Sequence, residues 1–373
     1  MPLNLDLLRS HFRRMLAVAR LELLHLIHDR TSISLIVIVP AIQIVLFGYA
    51  VNLDPKHVPI AISRGNDAAV GLIHQIVRET GYFAIEADGL QPGAAKEMVA
   101  DGKALVGIEI APQDESDPNQ LSVDPSVVVD ASEPEAVRPA LAALENAYLR
   151  HVAETYAIGP IPEVKLDLLY NPGRKTAWAV VPGLVGVVVM ITMLMLGALT
   201  LVRERERGSW ETLMATPVDA IDALVGKLSP YIFVGVVQAV VVIWIARLLF
   251  DLPLEGDLVA LLLSVPLYSA ANLILGFAFS ALAENQLQAI QGAVFFYLPS
   301  MLLSGFLFPF QGMPGWARAI GDALPLTHFV RATRGVVLKG AGASLVVSEM
   351  LPIAVFTLIA SAAALAAYRR HID

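Results

Sequence analysis

The sequence lacks the motifs with which a chain performs its own nucleotide or hydrolytic chemistry. A phosphate-binding loop requires G-x-x-x-x-G-K-[ST], and the nearest fragment, Gly226-Lys227-Leu228, lacks the upstream glycine and the hydroxyl residue. No histidine pair stands at metal-ligand spacing, and no Gly-x-Ser-x-Gly elbow is present. We therefore predict a non-enzymatic chain with no catalytic residue, cofactor or metal of its own.

The stretch from Arg203 to Pro217 is the strongest candidate for a functional site, because acidic and basic residues alternate directly after an apolar segment. A simple positive-inside anchor needs only basic residues. The glutamates add hydrogen-bond acceptors, and Trp210 and Leu213 add an apolar face that could dock into a groove of a cytoplasmic partner. A charge run is more often a solvated face, so the residues alone leave both interpretations open.

The composition indicates a membrane protein, since 56% of the 373 residues are hydrophobic and only 16% are charged, against about 25% charged in soluble domains. A membrane-spanning helix needs about 20 predominantly apolar residues. Six uncharged intervals predict six transmembrane helices. Two run from Thr31 to Leu53 and from Thr176 to Val202. Three lie between Lys227 and Arg247, between Asp257 and Glu284, and between Glu349 and Arg369, and one runs from Asn285 to about Phe308.

The Lys/Arg bias of the short flanking segments places both termini in the cytoplasm. Residues 1–30 are predicted to form an amphipathic helix that lies on the membrane face or packs on a partner. Residues 309–340 contain Pro and Gly and are predicted to be a turn or re-entrant segment. Their basic residues conflict with the charge rule, because six spans place this segment outside the cytoplasm.

Residues 54–175 alternate short β-rich runs with helical ones and predict a compact α/β domain outside the cytoplasm, inserted between transmembrane helices 1 and 2. Strands are expected at Val58–Ser63, Tyr82–Glu86, Ala104–Ile110 and Ser126–Asp130, and helices at Ala68–Thr80, Ala94–Asp101 and Glu133–Tyr156. More than half of the acidic residues lie here, which accounts for the net charge of −8. Nucleic-acid binding is therefore not expected.

The uncharged intervals contain no ionisable residue, which argues against a proton-coupled transporter. Their strongest polar groups are amides, for which interhelical hydrogen bonding is favoured over substrate contact. The candidates for a polar translocation path are Gln43, Gln238, Asn272 and Gln291.

Three motifs resemble the permeases of ABC-2 type transporters. Arg203 to Val218 (RERERGSWETLMATPV) resembles the family's segment after the second span, although Ser209-Trp210 departs from it. Leu169 to Gly183 (LYNPGRKTAWAVVPG) is similar to the entry into span two, and Leu324 to Gly340 (LPLTHFVRATRGVVLKG) to the segment before the last span. The resemblance covers nearly the whole chain.

The resemblance implies an inner-membrane exporter subunit whose ATP and magnesium are bound by separate cytoplasmic ATPase chains. It also implies a second permease copy or a sister permease. A coupling helix at 203–217 would contact the ATPase through Arg203, Glu204, Glu206, Arg207, Gly208, Trp210, Glu211, Leu213 and Pro217. An outer re-entrant segment, which includes Pro325, would expose Thr327, Arg331 and Arg334 at the headgroups.

The expected function is export of a hydrophobic or amphipathic compound, such as a drug, and a periplasmic adaptor is compatible with the large outer domain. The alternative is a mechanotransmitting protein that passes ATPase-driven motion to a periplasmic partner and transports nothing. A membrane sensor is discounted, because only five residues follow Tyr368.

Overall fold

The computed structural model describes residues 5–28, 34–50, 56–65, 67–110, 125–130, 134–155, 169–206 and 220–369. The chain divides into two compact units. One contains Asn52–Leu169, and the other contains Met1–Val51 together with Tyr170–Asp373.

The unit of Asn52–Leu169 is built on a four-stranded sheet of order β2-β1-β3-β4. Its elements are β1 (Val58–Ser63), α3 (Asp67–Thr80), β2 (Phe83–Leu90), α4 (Ala94–Ala100), β3 (Val106–Ile110), β4 (Pro125–Val129) and α5 (Pro134–Thr155). Strand β1 pairs in parallel with β2 and β3, and β3 pairs antiparallel with β4. The parallel pairs need crossover connections, and α3 and α4 provide them.

Both faces of this sheet carry helices. Ile60, Ile62 and Ile108 are fully buried and form one core with residues of α3 and α5. Ala61 faces the other way and packs with Ala95 of α4. Because successive side chains of a strand alternate between faces, β1 is apolar up to Ser63 and is buried on both sides.

The second unit is helical. Its elements are α1 (Leu5–His28), a π-helical turn (Ser34–Ile38), α2 (Val39–Val45), a second π-helical turn (Leu46–Ala50), α6 (Thr176–Glu206), α7 (Ala220–Phe250), α8 (Leu258–Leu282), α9 (Gln286–Leu303), a 3₁₀ turn (Phe310–Gly312), α10 (Gly315–Gly321), α11 (Pro325–Lys339) and α12 (Ala343–Arg369).

Four helices among the described residues are long and apolar enough to cross a membrane: Thr176–Glu206, Val225–Phe250, Leu258–Leu282 and Ala343–Ala367. The predicted first span appears as a shorter apolar helix, Ile36–Tyr49, and residues 29–33 and 51–55 beside it lie outside the described residues. The fifth predicted span ends at Leu303 rather than near Phe308, because Gly305 has a positive φ of 83° that stops the helix.

The last long helix begins before the predicted last span. Helix α12 begins at Ala343, so Glu349 lies inside a membrane-length helix instead of before it. An uncharged interval is shorter than such a helix when a residue on another element pairs with a charge inside the helix. His328 of α11 is that partner.

Helix α6 lies at the centre of the helical unit, and most of its residues between Val180 and Val202 are buried. Gly197 of α6 and Gly276 of α8 allow the two backbones to meet. A Cβ atom at Gly197 would stand 2.3 Å from the carbonyl oxygen of Leu273, and one at Gly276 would stand 2.4 Å from that of Leu194. Small residues at such crossings are typical of membrane helices, where close packing replaces the hydrophobic effect as the source of association.

Helix α11 packs on α6 and α8 through aromatic residues. The rings of Tyr268 and Phe329 are stacked with centroids 4.1 Å apart. The hydroxyl of Tyr268 donates to the carbonyl oxygen of Gly186 (2.9 Å), so that this buried polar group is satisfied.

Candidate functional site

The charged end of α6 forms the candidate site. The helix continues four residues beyond Val202, which ends the predicted span, and Arg203 to Glu206 therefore extend the apolar helix as part of the same rod. Among the predicted coupling residues, Arg203, Glu204 and Glu206 are described. Arg207, Gly208, Trp210, Glu211, Leu213 and Pro217 lie outside the described residues.

Glu204 connects α6 to the start of α7. Its carboxylate forms an ion pair with the ammonium group of Lys227, whose side chain is only 9% exposed, against 23% for Glu204. An ammonium group in such a site requires a carboxylate, because an unpaired buried charge is strongly unfavourable.

Arg205 and Glu206 connect α6 to the junction of α8 and α9. Arg205 Nη1 donates to the carbonyl oxygen of Ala283, which follows the last residue of α8, over a long 3.4 Å. The carboxylate of Glu206 accepts from the backbone amide of Gln286, the first residue of α9, at 3.0 Å, and also from its side-chain amide. A helix ends in free carbonyls and begins with free amides, so each charge meets the helix terminus that it stabilises.

A second layer of contacts attaches α1 to the same region. The hydroxyl of Tyr231 on α7 donates to the carboxylate of Glu22 on α1. Gly226 allows α1 to approach, since a Cβ atom there would stand 2.8 Å from the carbonyl oxygen of Met15. The predicted amphipathic helix thus packs on α7 of its own chain, while Leu16 and Leu21 remain exposed.

Within the described part of the bundle, no hydrogen bond joins two of the polar residues predicted to line a path. Gln238 Nε2 donates to the carbonyl oxygen of Ile36 (3.1 Å) and to Thr192 Oγ1 (3.0 Å), which joins three elements. Asn272 Nδ2 donates to the carbonyl oxygen of Tyr268 in its own helix (2.8 Å). Gln291 is exposed.

Some oxygens of this polar group have no partner. Within the described part of the chain, Gln43 Oε1, Gln238 Oε1, Asn272 Oδ1 and Ser269 Oγ are buried without a hydrogen bond. The structure therefore leaves acceptors free inside the bundle, although it does not bring the four predicted residues into one cluster.

The predicted exposure of Thr327 on α11 is wrong, and Arg334 is half-buried. Thr327 is fully buried, and its hydroxyl donates to the carbonyl oxygen of Gly321 (2.6 Å). The Arg334 guanidinium donates to the carbonyl oxygens of Gly305 (2.8 Å) and Phe306 (3.1 Å), where α9 has ended. Backbone carbonyls freed by the broken helix need donors, and this need outweighs the attraction of headgroups.

Arg331 is half-buried, and Pro325 occupies the first turn of α11, where its missing amide costs nothing. Arg331 pairs with the Asp322 carboxylate at 2.8 Å and lies 4.4 Å from the centre of the Phe310 ring. Its contacts are therefore within the segment itself.

Sequence reasoning missed Lys227 and Gln286 as partners of the site. Lys227 carried a signal, because it is the only charged residue between Asp222 and Arg247. A lone charge at the edge of an apolar run indicates a paired position. Gln286 had no signal beyond its place at a helix start.

The chain resembles known transporter proteins over nearly its whole length. A family model described as ABC-2 family transporter protein matches residues 30–367. The probable multidrug ABC transporter permease YbhR of Escherichia coli (strain K12) is 25% identical over 367 residues, covering 97% of this chain and 100% of that protein. The corresponding permease YbhS is 26% identical over 359 residues, 94% of each chain.

A eukaryotic relative matches as well. ABC transporter G family member 20 of Dictyostelium discoideum is 23% identical over 338 residues, covering 87% of this chain and 46% of that protein. Together with the four membrane-length helices, these relatives identify a multi-pass membrane protein. The family model spans most of the sequence, and the chain belongs to the ABC-2 family of transporter proteins.

Proposed function

We propose that the chain is the permease subunit of an ATP-binding cassette exporter that moves a hydrophobic or amphipathic compound out of the cytoplasm. ATP is hydrolysed by a separate subunit. The names of the Escherichia coli relatives as probable multidrug permeases support the substrate class. One observation carries the proposal: Glu204, Arg205 and Glu206 at the end of α6 contact α7, α8 and α9 respectively.

This arrangement suits the transmission of force. The segment 207–217 would bind the ATPase, as the resemblance implies, and any displacement of it would act on the end of α6. Helix α6 is buried along most of its length, and its last turn is bound to three other elements. A displacement would therefore move α6, α7 and the α8–α9 junction together.

The proposed topology has six spans. To the four membrane-length helices it adds the helix around Ile36–Tyr49 and α9, which has 18 residues. Both termini and the 203–217 segment then lie in the cytoplasm of an inner membrane. The sheet unit and residues 309–340 lie on the outer side, the former between spans one and two.

The proposed assembly contains two ATPase subunits and a second permease, either a copy of this chain or a sister chain. Two six-span halves would enclose the path between them. Gln238 and Asn272 are buried within one half, so their unpartnered oxygens would reach the cargo only when the surrounding helices separate. A periplasmic adaptor on the sheet unit is a further proposed partner.

The test uses the complex of this chain with the ATPase that co-purifies with it, reconstituted in liposomes. Trp210→Leu should lower both ATP hydrolysis and the ATP-dependent uptake of a fluorescent amphipathic dye. Trp244→Leu is the matched control, because Trp244 is 64% exposed on the surface of α7. Equal behaviour of the two variants would refute the docking role of the 203–217 segment.

The same assay separates transport from mechanotransmission. An exporter should accumulate amphipathic dyes in liposomes only when ATP is present. ATP hydrolysis that depends on the permease, without movement of any dye in an amphipathic panel, would overturn the export proposal in favour of the mechanotransmitting alternative.

A further inference from the structure

His328 of α11 is held at both ring nitrogens by oxygen acceptors. Its Nε2 lies 2.8 Å from the carbonyl oxygen of Asp322, and its Nδ1 lies 2.7 Å from Glu349 Oε2 of α12. The side chains of His328 and Glu349 are only 8% and 18% exposed. A buried histidine with two acceptors is unusual, because a neutral ring has one donor and one acceptor nitrogen.

The hydrogen bonds fix the number of protons in this group. A carbonyl oxygen can only accept, so Nε2 must carry a hydrogen. The contact between Nδ1 and Glu349 then needs a second hydrogen, either on Nδ1 as an imidazolium or on the carboxyl as an acid. With neither, two lone pairs would face each other at 2.7 Å. The observed geometry therefore requires one bound proton.

Charged residues other than Glu349 are few on the elements around His328. Arg331 lies on the same helix and is paired with the Asp322 carboxylate at 2.8 Å. Arg318 belongs to α10, which precedes Asp322. Of the other helices that pack on α11, α8 and α9 contain no charged residue, and α6 has none before Arg203. Glu349 is thus the carboxylate that faces His328 from α12.

We propose that His328 and Glu349 form a proton-binding site that attaches the hairpin of α10 (Gly315–Gly321) and α11 (Pro325–Lys339) to α12. With the proton bound, the pair joins α11 to α12 and also holds the Asp322 carbonyl. Without it, the contact is lost and the hairpin separates more readily from α12. The inference uses only contacts within this chain and does not rest on the proposed function.

The direction of the pH effect follows from the contacts. Burial alone would lower the pKa of His328, but the hydrogen bonds to Glu349 and Asp322 outweigh it and raise the pKa above the ordinary 6.5. The added stability of the closed hairpin is therefore fully present below the pKa of the open form. It is lost as the pH rises through the higher pKa of the closed form.

A cysteine-accessibility experiment tests the site, since the chain contains no cysteine. Val346 is 2% exposed and lies one turn from Glu349 on the same face of α12, whereas Val347 is 63% exposed. Single-cysteine proteins Val346→Cys and Val347→Cys are labelled with a maleimide between about pH 6 and about pH 9. The ratio of the two rates cancels the intrinsic pH dependence of the thiol reaction.

The ratio should rise with pH by up to about tenfold for each unit by which closure raises the pKa. A ratio that stays flat across the range overturns the proposal, and this readout needs no change at the pair itself. Glu349→Gln adds a second readout, because a neutral amide can donate to Nδ1 without a bound proton. In that background the ratio should be low and independent of pH, and an unchanged pH response would also overturn the assignment.

Discussion

The ion pair of Glu204 and Lys227 gives the sharpest test of the candidate site. Glu204→Gln removes the carboxylate that pairs with the buried ammonium group, which then keeps only the neighbouring charge of Glu22, and Lys227→Met leaves the Glu204 carboxylate without its cation. The double variant removes both charges and keeps a side chain of similar length at each position. A pair that joins α6 to α7 should make the effects of the two single changes strongly non-additive.

The expected magnitude follows from exposure. Breaking a fully buried pair costs about 3–5 kcal/mol, and an exposed pair contributes about 1 kcal/mol or less. The Lys227 side chain is 9% exposed and that of Glu204 is 23% exposed, so the pair lies between these limits. We expect a coupling free energy of about 2 kcal/mol. Glu204→Gln should cost more than Lys227→Met, because water reaches the carboxylate more easily than the ammonium group.

The measurement is thermal unfolding of the purified protein in one detergent, followed by tryptophan fluorescence. A cost of 2 kcal/mol corresponds to a Tm lower by about 2–3 °C, because the unfolding entropy grows with chain length. The double variant should recover most of the loss of Glu204→Gln. If the two single shifts simply add in the double variant, the pair does not connect the two helices and the proposed route of force through Glu204 is refuted.

Three further changes test contacts within the helical unit by the same unfolding measurement, with one control in α3. Ser280→Ala should cost about 2 kcal/mol, because its hydroxyl accepts from two buried backbone amides of α6 (3.1 and 3.0 Å), and a shift within error would contradict this role. Gly197→Ala should destabilise by about 1–3 kcal/mol, since its Cβ would stand 2.3 Å from a carbonyl oxygen. Gly71→Ala, the control with nothing within 4 Å, should stabilise α3 by about 0.5–1 kcal/mol, and a reversed order would refute the close crossing. Arg334→Gln should cost about 2 kcal/mol by leaving a buried carbonyl without a donor, and no loss would mean that other donors reach it.

The strands and most long helices were predictable because their signals are local. Strand β1 has the predicted bounds Val58–Ser63, and α6 begins at the predicted Thr176. The apolar runs of residues 58–62 and 177–202 account for most of each element, and burial of these runs makes the elements predictable.

The errors occur where a distant partner changes the meaning of a charge. The uncharged interval predicts a last span that begins after Glu349, but this residue pairs with His328 inside α12. The sequence predicts Arg334 at the headgroups, but its guanidinium donates to the carbonyls of Gly305 and Phe306. In both cases the partner lies at least 21 residues away in sequence, and no local pattern identifies it.

The structure partly explains the alternating charges at the end of α6. Arg205 meets the carbonyl end of α8 and Glu206 meets the amide end of α9, so two adjacent residues of opposite sign serve two helix termini of opposite polarity. A basic residue at 206 would place a cation against free amides. The signs at 204–206 are therefore determined by contacts within the chain, and the sequence evidence for docking to an ATPase rests on Arg207 and the residues after it. Variants at Glu204 and Glu206 test whether force reaches the bundle, and variants at Trp210 test whether the partner binds.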